Sequence, residues 1–204
     1  MYCQTALLLL LATSLHPADN LAGSVVAVFL KNDNRAPAIV VSAMENEAER
    51  SLKPAGLEFL WNSDGTRDGN AYSNLVVVTL VGDCRATPAS STAIAGTVDP
   101  LGATHVVNGQ ILPFIDLRCD SVRALLSRHQ GTSALFPPTL LGRSLGRVLA
   151  HELYHVLLQT TSHESYGLAS PAFRRNDLIC ASLSFGPKVE RKLQQLAWSP
   201  PVFR

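Results

Sequence analysis

The segment from Val148 to Leu157 reads Val-Leu-Ala-His-Glu-Leu-Tyr-His-Val-Leu, and it constrains the fold more than any other stretch of the chain. On an α-helix, residues four apart lie about 40° apart around the axis and about 6 Å apart along it. His151 and His155 therefore project from one face of a predicted helix, one turn apart. Apolar residues flank the pair, so the pattern predicts a buried helix whose two histidines can share one metal ion.

Glu152 follows the first histidine directly, offset by about 100° around the helix. Its carboxylate is therefore placed to serve a water molecule beside the metal rather than the metal itself. Zinc hydrolases use this set of groups: neutral imidazoles as ligands, a carboxylate as proton acceptor, and one open coordination position. The alternative interpretation is that both histidines are ordinary core residues and that the motif occurs by chance.

The motif and its flanks resemble the active-site helix of the zincin metallopeptidases over about residues 148–167. Val148 precedes the motif, the uncharged Leu153 and Tyr154 lie inside it, and apolar residues follow, as in that family. The resemblance implies that His151 and His155 are zinc ligands and that Glu152 is the general base. It also implies a zincin-like α+β fold, with the motif helix at the floor of the cleft.

A third ligand has to come from downstream of the motif. On a continued helix His163 would lie roughly 12 Å beyond His155, out of reach. The polar and β-branched residues 159–162 predict instead that the helix stops there and that the chain turns back. We therefore expect His163 to be the third zinc ligand, with a surface loop histidine as the alternative.

The spacing of this histidine departs from the patterns of the known zincin groups. Metzincins have a glycine where this chain has Leu158, and their third histidine comes sooner than His163, which lies eight residues after His155. No methionine follows the site, so the metzincin Met-turn is absent. Aspzincins carry an aspartate three residues before Tyr-Gly, and His163 has that place before Tyr166-Gly167.

Several other downstream residues are candidates for the site. The alternatives to His163 as third ligand are three acidic residues, Glu164, Asp177 and Glu190. Tyr166 is a candidate for stabilising the oxyanion, as a nearby tyrosine does in some zincins, with packing as its alternative. Residues 174–175 are two arginines, which are either solvated or hold a carboxylate of the substrate.

The remaining sequence predicts a mixed β-sheet with packed helices and a small helical C-terminal part. Predicted strands cover residues 24–30, 57–61, 75–81, 93–98 and 105–116. Predicted helices cover residues 37–52, 121–129, 140–159 and 171–183, and a last helix begins at 185–187. Residues 24–61 thus form a strand–helix–strand unit, and 75–81 is expected at the centre of the sheet.

Three residue types within these elements carry specific expectations. Pro113 confines its strand to a sheet edge or a bulge, and an exposed edge strand beside a zinc cleft is what a peptide would pair with. Gly142 and Gly146 predict close approach of another backbone to the motif helix, expected to be the sheet. His105 is either an extra ligand or, as for most lone strand histidines, a structural residue.

The N-terminal residues predict an export signal over 1–23, because the apolar run 6–12 is too short to span a bilayer and precedes a helix-breaking proline. Residues 24–204 would then form a single domain, secreted or periplasmic. A buried N-terminal helix in a cytoplasmic protein is the alternative. Among the four cysteines, Cys84 and Cys119 are the favoured disulfide pair.

Composition limits the partners. The chain has 204 residues, of which 47% are hydrophobic and 16% charged, which favours one substantial core. The net charge of +1 gives no electrostatic basis for binding nucleic acid or an anionic membrane. We expect a peptide or protein substrate and no stable membrane insertion. The alternatives are a non-catalytic zinc-binding scaffold or binding module, and an α+β structural protein without metal.

Overall fold

The computed structural model describes residues 25–33, 36–62, 72, 74–86, 100–127 and 136–197. The strands are β1 (Val25–Lys31), β2 (Glu58–Asn62), β3 (Leu75–Val81), β4 (Gly102–Val107) and β5 (Gln110–Arg118). The α-helices are α1 (Ala38–Leu52), α2 (Cys119–Ser127), α3 (Pro138–Leu158), α4 (Arg175–Ile179) and α5 (Pro187–Ala197). The predicted signal 1–23 and the predicted strand 93–98 lie outside the described residues.

The strands form one five-stranded mixed sheet in the order β2-β1-β3-β5-β4. Strands β2, β1, β3 and β5 run parallel to one another, and β4 is antiparallel to β5. Strand β3 is central, as its β-branched sequence predicted. The architecture is therefore α+β, with helices packed on a mixed sheet, and the predicted β1-α1-β2 unit is confirmed.

The sequence predicted one strand over residues 105–116. In the structure this region instead forms a hairpin of β4 and β5. Its two-residue turn is Asn108-Gly109, with φ of 51° and 78°. Hairpin turns with both central residues at positive φ favour Asn-Gly, because this geometry follows the twist of the two strands. The hairpin makes β4 the edge of the sheet beside α3.

Pro113 lies in β5, which is an interior strand, so the edge position predicted for it is wrong and the bulge is right. The register between β4 and β5 shifts between Thr104 and Val106, opposite this part of β5. Pairing of β5 with β3 begins only at Phe114. The proline therefore sits where its missing N–H interrupts no regular ladder.

Helices α1 and α3 pack closely against each other and cover one face of the sheet. That face is formed by fully or almost fully buried alternate residues of β1 and β3: Val26, Val28, Leu30, Val76, Val78 and Leu80. A Cβ at Gly142 would meet the carbonyl oxygen of Val40, and one at Gly146 would lie 2.5 Å from that of Met44. The close approach is thus to α1 and not, as expected, to the sheet.

A disulfide joins Cys84, just after β3, to Cys119 at the start of α2, with a Cα–Cα distance of 4.9 Å. This is the pair that the sequence favoured. Cys180 is a free, partly exposed thiol. Among the described residues, no helix combines the length and the apolar character needed to cross a membrane.

Candidate metal centre

Helix α3 carries the predicted motif through the middle of the protein. Every residue from Ser144 to Leu157 is buried, which explains the almost uncharged sequence of this helix. The buried polar side chains of the motif are His151, Glu152 and His155, each only 7–8% exposed. Polar groups this deeply buried need hydrogen-bond or metal partners. The groups around these three side chains therefore show what the site can bind.

The chain reverses direction at the end of α3, as the polar run after the motif predicted. Helix α3 ends at Leu158, and Gln159 adopts the left-handed conformation with φ 48° and ψ 49°. Tyr154, on the last part of the helix, donates its hydroxyl proton to the carbonyl oxygen of Ser162 at 2.7 Å. This bond holds the returning segment against the helix and brings His163 back beside the motif.

The structure places His163 next to both motif histidines. Its ring centroid lies 5.2 Å from that of His151 and 4.8 Å from that of His155. One ligand atom from each of the three histidines can be chosen so that all lie within 4.8 Å of one another. The three side chains are therefore close enough to bind one metal ion.

Backbone carbonyls orient the two motif histidines. The Nδ1 of His151 lies 2.7 Å from the carbonyl oxygen of Leu168, and that of His155 lies 2.7 Å from the oxygen of Thr160. A carbonyl only accepts, so each Nδ1 carries the proton. The Nε2 atoms are then the ring nitrogens left to coordinate a metal ion, and they face each other at 3.0 Å. This is the usual carbonyl support of metal-binding histidines.

The protonation of these rings also suits a cation. Burial, with smaller contributions from His155 and His163, lowers the pKa of His151 to about 4, against the raising effect of the hydrogen bond to Leu168. Burial, with a smaller contribution from His155, lowers the pKa of His163. Neutral imidazole is the form that binds a metal.

Strand β4 supports the motif carboxylate. The Thr104 hydroxyl lies 2.8 Å from Glu152 Oε2 and 3.2 Å from the Glu152 carbonyl oxygen, and it donates to them. A Cβ at Gly102 would come within 3.0 Å of the Glu152 side chain and within 2.7 Å of Val148. Burial raises the pKa of Glu152, while the hydrogen bonds from Thr104 lower it. The edge strand therefore lies directly over the carboxylate.

Sequence reasoning missed Gly102 and Thr104. The sequence did contain an indication of their position: they are two residues apart, and residues at this spacing lie on the same face of a strand. His105, next to Thr104, points the other way and pairs with Asp116 at 3.0 Å. It does not join the three-histidine group, in agreement with its interpretation as a structural residue.

The acidic alternatives to His163 have other contacts. Glu164 Oε1 lies 3.6 Å from the Lys188 ammonium nitrogen. Asp177 Oδ2 accepts the backbone N–H of Arg174 at 2.7 Å. Glu190 lies in the first turn of α5. Within the described part of the chain, none of the three joins the histidine group.

A cleft with a volume of about 690 Å³ adjoins the histidine group. Tyr166 lines it and is 59% exposed, with its ring close above Gly186. The cleft is lined by His163, Glu164, Ser165, Tyr166, Gly167, Ser170, Pro171, Ala172, Arg174 and Asp177. The predicted tyrosine thus lies beside His163 with its side chain accessible.

Comparison of the sequence with protein-family models gave no match, and comparison with curated proteins gave none. Any function for this chain is therefore inferred from its own residues. Those residues offer three clustered histidines, one of which lines a cleft, beside a buried carboxylate.

Proposed function

We propose that this protein is a zinc-dependent metallopeptidase with a zincin-like fold. The observation that carries the proposal is the convergence of His151, His155 and His163 beside the buried carboxylate of Glu152. Three histidines are a donor set that catalytic zinc sites use, with a further position left for water or substrate. The carbonyl bonds to both motif histidines fit the same role.

The chain would hold zinc through the three histidines. Bound zinc would supply a Lewis acid that lowers the pKa of a water molecule toward about 7. Glu152 adjoins a ligand in sequence without belonging to the ligand group. Its carboxylate accepts the proton of the attacking water and later passes it to the leaving amine.

Thr104 and Gly102 are positioning residues for this step. The hydroxyl of Thr104 fixes one oxygen of Glu152, and the absence of a side chain at Gly102 leaves room for the carboxylate. Both belong to β4, which pairs only with β5 among the described strands. The free side of β4 can pair with an extended peptide, which would bring a scissile bond to the carboxylate.

Tyr166 is the candidate for stabilising the developing oxyanion. It lines the same cleft as His163 and its side chain is exposed rather than packed in the core. A phenolic hydroxyl is a suitable hydrogen-bond donor for that purpose. Replacement of Tyr166 by Phe should lower kcat more than it raises KM.

The decisive experiment combines zinc content with hydrolysis. Protein purified without chelators should contain about one zinc per chain by elemental analysis. Glu152→Gln should keep that zinc while hydrolysis of a peptide mixture falls by roughly 10²-fold or more. His163→Ala should lose zinc, because the donor set is reduced to two histidines. His105→Ala is the matched control, since this exposed histidine contacts Asp116 instead.

Each outcome separates one alternative. Near-zero zinc in the wild type would exclude the metal site and the enzyme with it. Stoichiometric zinc with no hydrolysis that depends on Glu152 would indicate a non-catalytic zinc-binding module. Unchanged zinc affinity in His163→Ala would move the third ligand to Glu164, Asp177 or Glu190, tested in that order.

We also propose that the chain is exported, with a mature N-terminus in residues 15–25. The Cys84–Cys119 disulfide supports an oxidising compartment, since such bonds are rare in reducing ones. Mass spectrometry of the protein from its native cell would test this. A soluble cytosolic chain that retains Met1 would contradict export.

A further inference from the structure

The cleft beside the histidine group contains an arginine that the proposed mechanism does not use. Arg174 lines the cleft together with His163. The preceding residue, Phe173, places its ring edge-on to His151 with the centroids 5.5 Å apart. Arg174 thus follows a residue that contacts the histidine group and lines the same cleft as His163.

The other charged side chains of the cleft are already engaged. Glu164 pairs with Lys188, and the Asp177 carboxylate accepts the backbone N–H of Arg174. The guanidinium of Arg174 forms no ion pair with any carboxylate in the part of the chain that the structure describes. It is the cation of this cleft that remains available to a ligand.

The backbone of Arg174 is fixed to the core. Its carbonyl oxygen accepts the N–H of Asp177 at 3.0 Å, which closes the first turn of α4. The carbonyl oxygen of Asp177 in turn accepts a hydrogen bond from the buried Arg147 of α3 at 2.6 Å. The backbone position of Arg174 is therefore fixed, so binding of a ligand has to order only its side chain.

We propose that Arg174 determines specificity by binding a carboxylate of the peptide substrate in this cleft. The carboxylate comes from an Asp or Glu side chain or from the C-terminus, because both offer the planar pair of oxygens that a guanidinium binds through two hydrogen bonds. This inference rests on the proposed peptidase function and names the class of peptide that the site accepts.

Arg175 provides a matched control within the same sequence. Its Nε donates to the carbonyl oxygen of Leu126 in α2 at 2.9 Å, and it does not line the cleft. Arg174→Gln and Arg175→Gln change the net charge of the protein equally. A difference between them therefore reports the position of the guanidinium and not the overall charge.

The test measures peptide binding, so that it does not depend on turnover. Fluorescent peptides in which a single Glu is scanned through a neutral sequence are compared with matched Gln peptides, each with a free or amidated C-terminus. Binding is followed by fluorescence anisotropy on the Glu152→Gln protein, both zinc-loaded and metal-free. At one scan position or at the free C-terminus, we expect the carboxylate peptide to bind about tenfold more tightly than its neutral partner.

Arg174→Gln should abolish that difference, Arg174→Lys should restore part of it, and Arg175→Gln should retain it fully. Equal binding of acidic and neutral peptides to the wild-type cleft, or equal preference in Arg174→Gln, would overturn the inference. If the protein neither binds zinc nor hydrolyses peptides, the proposed function fails. The same comparison on metal-free protein still decides whether Arg174 binds carboxylates.

Discussion

The two halves of helix α3 both bury polar side chains, yet they use the atoms of those side chains differently. In the upstream half, Arg147 is completely buried. Its Nε donates to Glu47 Oε1 at 2.7 Å, and its terminal nitrogens donate to the carbonyl oxygens of Asp177 and Cys180 at 2.6 and 2.8 Å. Protein groups thus engage all three of its nitrogens.

In the downstream half, the motif histidines are only partly engaged. Each uses Nδ1 on a backbone carbonyl, while the Nε2 atoms face each other and His163. With Nδ1 of each ring on a carbonyl, the two Nε2 atoms are the positions left for a shared ligand. Burial alone therefore does not distinguish a structural polar side chain from a functional one. The distinction is whether protein groups bind all of its polar atoms or leave some of them for a ligand.

The largest expected effect tests the structural assignment of the upstream half. Arg147→Met should lower the free energy of unfolding by about 3–5 kcal/mol, because the buried Glu47 loses its fully buried partner and keeps the largely exposed Arg50 and, at 3.9 Å, Arg143. Urea unfolding of the metal-free protein measures this. The double variant Glu47→Leu/Arg147→Met should lose less than the sum of its single variants. A loss under about 1 kcal/mol for Arg147→Met would contradict the assignment.

The second prediction concerns the downstream half and its ligand. Free zinc at about 100 times its Kd should raise the free energy of unfolding by about 2.7 kcal/mol, because zinc binds only the folded site. His155→Gln should abolish that increment, whereas the control His105→Gln should retain it. Thermal unfolding with and without zinc measures both. An increment that survives in His155→Gln would show that zinc stabilises the protein from another place.

The sequence predicted the downstream half better than the upstream half for a physical reason. The spacing of His151 and His155, the apolar flanks and the helix stop are local, and the return of His163 follows from a short segment. The Glu47–Arg147 pair joins residues separated by 100 positions, and no local pattern announces it. A single sequence shows which residues share a helix face, but not which distant side chain meets them.

The same distinction holds for the rest of the fold. The strand–helix–strand unit and the central β3 were predictable from runs of β-branched and apolar residues. The partner of Gly142 and Gly146 was not, because a sheet and a neighbouring helix both fit two glycines four apart. Thr104 could have been found from alternation in β4, but its contact with Glu152 depends on how the hairpin packs on α3.

The third prediction compares two glycines at close contacts of helix α3. Gly146 lies in its upstream half and packs against α1, whereas Gly102 of β4 packs against Val148 and Glu152. Gly146→Ala should lower the free energy of unfolding by about 1–3 kcal/mol, because its Cβ would meet the Met44 carbonyl oxygen, which cannot move aside. Gly102→Ala should cost less stability, since its Cβ would meet side-chain atoms of Val148 and Glu152 rather than backbone, but it should displace the carboxylate and so lower kcat. Urea unfolding and kinetics of both variants separate the two effects. Equal losses of kcat would contradict the division of α3 into two functional halves.

The smallest expected effect concerns Glu164, the acidic neighbour of His163. Its pair with Lys188 is partly solvent-exposed, with 3.6 Å between the charged atoms, and such pairs contribute roughly 0–1 kcal/mol. Lys188→Gln should therefore change the free energy of unfolding little and should leave zinc affinity nearly unaltered. Glu164→Gln should behave alike if His163 is the third ligand. Competition with a chromophoric chelator measures zinc affinity. A large loss in Glu164→Gln, with none in His163→Ala, would assign the third position to the carboxylate, because only a true ligand removes a metal–donor bond when it is replaced.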